Sequence, residues 1–90
     1  MEKVIAAAIQ FYNIETKSYV TLTGIRHAEI FHDMFLLQIN YDKKLSKQGF
    51  LTNDGRFVDR YEAKNIAVEA GQLIVPVEQT YAQLFSEDVW

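Results

Sequence analysis

Ninety residues make one domain, residues 1–90, and its 49% apolar and 13% aromatic content is generous for so short a chain. A formal charge of −3 argues against a general DNA or RNA binder, and the lack of cysteine excludes disulfides, thiol nucleophiles and cysteine-ligated zinc. The early apolar run Val4–Ile9 is too short for a membrane span and makes a poor secretory signal, so neither DNA nor a membrane is expected as a partner. Taken along the chain, Val4–Phe11 is apolar on both alternating faces and reads as an inner strand. Asn13–Ser18 is polar and makes the turn. Tyr19–Thr23 alternates and is rich in β-branched and aromatic residues, so it pairs back as a second strand ended by Gly24. Residues 25–39 have helical character: Ile30, Phe31, Met34, Phe35 and Leu37 share one broad face, with His27 near its centre. Leu36 falls in the polar arc, which points to a subunit interface. Asn40–Gln48 reads as a polar, lysine-bearing loop.

The next segment, from Gln48 to Ala63, is the most informative. Asn53-Asp54-Gly55 tolerates positive φ and marks a turn, so Gly49–Thr52 and Arg56–Val58 become the strands of a short hairpin. Asp59 followed by Glu62 fits a capping box and starts a second helix, which runs to about Ala70 and stops at Gly71. Ala63, Ile66, Ala67 and Ala70 form its inner face, small enough for close approach to a sheet. Beyond Gly71 the tail keeps Leu84, Phe85, Val89 and Trp90, apolar groups that dock on the domain or on a partner. The resulting fold class is α+β, a small antiparallel sheet with two principal helices.

Charge is distributed unevenly. Residues 41–64 hold six basic and four acidic groups, whereas residues 65–90 hold four acidic groups and no basic one. The middle of the chain suits a small anionic ligand, not a long phosphate track. Arg60 lies in the first turn of the second helix, where a cation is unfavourable unless an anion compensates it, and Arg56 is four residues upstream. With the open amides of the helix start these two describe a seat for phosphate; the alternative is that each pairs with a neighbouring acid. Phe50, Phe57 and Tyr61 offer aromatic faces to a base, Asn53 offers hydrogen bonds, and Arg26 with His27 can reach in from a partner subunit. Phe57 serves either this role or the core. His27 and His32 point about 140° apart on a helix and are poor joint metal ligands, and His27, central on the apolar face, reads either as a ligand contact or as a satisfied core or interface histidine. No Gly-x-Ser-x-Gly elbow, Gly-x-Gly-x-x-Gly loop or Walker-type loop occurs, so binding without turnover is expected, with no catalytic residue, no metal and no cofactor.

The Arg26-His27 pair, the block Gly49-Phe50-Leu51-Thr52-x-x-Gly55-Arg56-Phe57-Val58-x-Arg60-x-Glu62-Ala63, then Gly71-Gln72 and Leu84-Phe85-Ser86-Glu87-Asp88 resemble phage-encoded proteins. With the Ala6-Ala7-Ala8 strand they resemble the first described family of Thoeris anti-defence proteins. That resemblance implies a sponge acting in the cytoplasm of the infected bacterial host. It would bind a cyclic ADP-ribose isomer or related cyclic nucleotide messenger made by TIR enzymes, hold it without cleaving it, and do so as a homodimer or higher even homo-oligomer. Of the candidate ligand contacts, Arg26, His27, Arg56, Phe57 and Arg60 match the family's motif, and side-chain chemistry assigns the roles of these and of Phe50 and Asn53. The rival expectation is a small phage protein that inhibits a host protein by direct binding.

Overall fold

The computed structural model describes all residues, Met1–Trp90. Four strands, β1 (Val4–Asn13), β2 (Ser18–Gly24), β3 (Tyr41–Thr52) and β4 (Phe57–Asp59), form one antiparallel sheet in the order β2-β1-β3-β4. Two helices, α1 (His27–Leu36) and α2 (Arg60–Glu69), pack on it, α1 over β1 and β2 and α2 over β3, β4 and β1. The expected α+β class is therefore observed. No helix is long and apolar enough to cross a membrane.

The apolar run of β1 is explained by its central place. Ala7, Ile9 and Phe11 face the helices and are fully buried together with Val4, Phe50 and Val58, and the helices close over them with Ile30, Met34, Ala63 and Ala67. Ala63 and Ala67 let α2 approach closely, while Gly71 (φ 69°) ends it: Gln72 N donates to Ala67 O and Gly71 N to Val68 O, the paired bonds of a Schellman stop. At its start the Asp59 side chain accepts from Glu62 N at 2.8 Å. Only half of the expected capping box forms, because the Glu62 carboxylate turns to Arg56.

The structure departs from the expectations of sequence in two places. The segment Asn40–Gln48 is not a loop but most of β3. It is polar because this part of the sheet runs past the helices, and irregular because the register slips: Gln10 faces Lys47 while Tyr12 faces Asp42. A bulge of this kind carries the local turn chemistry of a loop, here Asp42 Oδ1 accepting from Lys44 N and Ser46 Oγ donating to Lys43 O. In α1 the buried stripe is narrower than the periodicity implied: His27, Ile30 and Met34 are buried, whereas Phe35 and Leu37 are 78% and 70% exposed; Leu36, in the polar arc as expected, is 62% exposed.

The C-terminal segment docks on its own domain. Leu84 is fully buried and its N–H donates to Arg60 O, Ile74 N donates to Asp88 O, and the Trp90 indole donates to Ile25 O at 2.7 Å. Lys64, buried on α2, donates to Thr80 Oγ1 and Tyr81 O and so straps the same segment down. Burying a leucine such as Leu84 contributes about 2 kcal/mol, which explains why apolar residues persist to the last position.

Candidate functional site

The hairpin and the start of α2 form as the sequence requires, with Gly55 in the left-handed region (φ 78°) and Phe50 opposite Val58. The two arginines of this block nevertheless meet different surroundings. Arg56 holds Glu2 through Nε (2.9 Å) and Nη2 (2.7 Å) and reaches Glu62 with Nη2 at 2.9 Å. The hydrogen bonds from Arg56, and then from Thr52, draw the Glu2 carboxyl down from 4.5 to about 2, and those carboxylates in turn raise Arg56. Arg56 is thus held by acids within the chain, the alternative to a phosphate seat shared with Arg60.

Arg60 has no carboxylate within ion-pair distance. Its Nη2 donates to the neutral amide oxygen of Gln48 at 2.6 Å, its guanidinium carbon lies 4.8 Å from the centre of the Phe85 ring, and its buried Nε donates to nothing. Burial lowers its affinity for the proton, with the charge of Glu87 working the other way. An arginine stays charged even so. A partly buried cation with only neutral partners is a group that gains from an anion.

Arg60 lines an open cleft of about 430 Å³ with Ser46, Gln48, Asp59, Tyr61 and Gln83. Gln48 and Ser46 went unnoticed in the sequence because their segment reads as a loop. Had β3 been recognised, alternation from buried Phe50 would have turned Gln48 toward α2. Tyr61 is exposed and accepts at its hydroxyl from Gln83 Nε2 at 3.1 Å, so an aromatic face and two amides border the same cation.

The other sequence candidates do not line this cleft. Phe50 has no exposed surface; it packs edge-to-face against His27 and Trp90, which corrects its assignment as a stacking face. His27 is buried and bonded through Nε2 to Gly49 O at 2.7 Å, as a satisfied core histidine is. Burial lowers its pKa first, while the Gly49 carbonyl opposes that shift. Asn53 joins the chain start to the hairpin, accepting from Lys3 N and donating to Met1 O. Phe57 is half-buried, and its ring fills the space beside Gly49, where an added Cβ would lie 2.7 Å from the ring and 2.1 Å from Val58 O. Arg26 donates through Nη2 to Trp90 O at 2.5 Å and lies 3.8 Å from Glu87, leaving buried Nη1 without a partner. No group of three or more histidine, aspartate or glutamate side chains is arranged to hold a metal ion.

The candidate site is therefore Arg60 with its polar neighbours, among them the Asp59 carboxylate that caps α2, at the seam between β3, the α2 start and the C-terminal segment. No curated protein and no solved structure matches the chain. A family profile described as phage T4 y16D protein matches residues 3–90, almost the whole length and every element that builds the cleft, and the chain belongs to that phage protein family.

Proposed function

We propose that this phage protein is an anti-defence sponge that captures, without cleaving, a cyclic ADP-ribose-type messenger of bacterial TIR (Thoeris) immunity in the cytoplasm of the infected host. The observation that carries the reading is Arg60, with no carboxylate at ion-pair distance and an unpartnered Nε, at the mouth of a cleft bordered by Tyr61, Gln48, Gln83 and Asp59. A pyrophosphate displacing Gln48 from Arg60 would supply the missing carboxylate-like partner, and the amides of the α2 start add their partial positive charge. Tyr61 takes the place of Phe50 as the face for adenine, and the two glutamines suit ribose and base edges. A cleft of about 430 Å³ lies within the range of small-molecule sites. Its open side is suited to closure by a second copy, as tight capture by so small a domain demands.

The test is a melting-temperature screen against cyclic ADP-ribose isomers and cyclic oligonucleotides. Stabilisation by one of them, its loss in Arg60→Gln and its retention in Arg56→Gln are expected. Heating the complex should release the ligand intact; recovery of only a linear product would replace the sponge with an enzyme. A second reading, inhibition of a host protein by direct binding, is favoured by the exposed Phe35, Leu36 and Leu37 at the end of α1. It forecasts no stabilisation by any nucleotide and a binding defect in Leu36→Glu.

A further inference from the structure

The sheet has two open edges, and they are built differently. On the β3 side, β4 covers only Gly49–Leu51, so the edge of Tyr41–Gln48 is unpaired. That edge carries Lys43, Lys44 and Lys47 and a register slip, the devices that stop a strand from recruiting another. On the other side, β2 (Ser18-Tyr19-Val20-Thr21-Leu22-Thr23-Gly24) has no neighbour beyond β1, yet it holds no charge and no proline and pairs with β1 without a slip over all seven residues. A regular, neutral, β-branched edge of this length is a surface for strand addition.

We propose that β2 pairs antiparallel with β2 of a second copy, joining two sheets into one of eight strands. A two-fold axis at Thr21 sets Val20 opposite Leu22 and Tyr19 opposite Thr23, so each face of one sheet continues into the same face of the other. Val20 and Leu22 are the half-buried core residues of this strand, and the pairing extends the core across the axis. A neutral strand meets its own copy with no like charges opposed, whereas the lysine-bearing edge of β3 would repel its copy. The pairing needs no ligand and stands apart from the reading of the Arg60 cleft.

Sedimentation at micromolar concentration tests it, with hydrogen exchange of the β2 amides read alongside. The wild-type chain is expected at twice its 10.4 kDa mass. Thr21 is exposed, and Thr21→Lys, which sets two cations face to face across the axis, should halve the apparent mass with the circular dichroism spectrum unchanged; Thr21→Val should remain dimeric. In the wild type, protection of β2 amides should fall on dilution, a result that stands even if Thr21→Lys does not fold. A monomeric wild-type chain, a Thr21→Lys dimer, or β2 protection independent of concentration would each overturn the proposal.

Discussion

Arg56 and Arg60 lie four residues apart, separated by a three-residue strand, and their fates differ. Arg56 projects from the hairpin to the chain start, where it meets two carboxylates in solvent. Arg60 turns inward from the first position of α2 and meets an amide and a ring face, with no acid at ion-pair distance. A guanidinium with two carboxylates is a structural tie; one with neutral partners and partial burial keeps an unmet demand for an anion. Local charge density does not distinguish the two, so counting basic residues cannot locate an anion site.

Several changes probe that contrast. The largest effect is expected from Gly49→Ala. The hairpin that sends the two arginines apart folds so tightly over Gly49 that an added methyl meets Val58 O at 2.1 Å, and urea unfolding should show a loss of about 3 kcal/mol. Next comes Arg60→Gln, which should weaken messenger binding about 30-fold, or ~2 kcal/mol, in calorimetry, while Arg56→Gln leaves the affinity within about twofold. Equal losses in both variants would erase the distinction between them. Asp59→Ala removes the side-chain cap of α2 and should lower stability by about 1 kcal/mol in urea unfolding.

The smallest effect concerns the tie itself. The Glu2 carboxyl has a folded pKa of about 2 against an ordinary 4.5, so its contribution is present above pH 4.5 and is lost as the pH falls toward about 2. Melting curves of wild type and Glu2→Gln should therefore differ at neutral pH and converge in strong acid. A gap that stays constant down to pH 2 would show that the Arg56 contact is not the tie described.

The hairpin block was legible because its instructions are local. Asn53-Asp54-Gly55 permits one turn, Asp59 caps the helix that follows it, and Gly71 can take the φ that ends that helix, whatever lies elsewhere in the chain. The apolar β1 likewise announced a central strand. By contrast, only the end of β3, Gly49–Thr52, reads as a strand, because its polar part owes its conformation to pairing with β1, a partner about 30 residues away. That polar part holds Gln48 and Ser46, and hence the wall of the cleft.

Residue types alone thus established the α+β class, the turn, the caps and a cation at the start of α2, since these depend on backbone preferences within a few residues. They left open which arginine is neutralised, whether Phe57 and His27 face core or ligand, and what the C-terminal segment covers. Those outcomes rest on contacts between distant segments, Glu2 with Arg56, Phe85 with Arg60 and Trp90 with Phe50, and only the assembled fold brings such groups within reach.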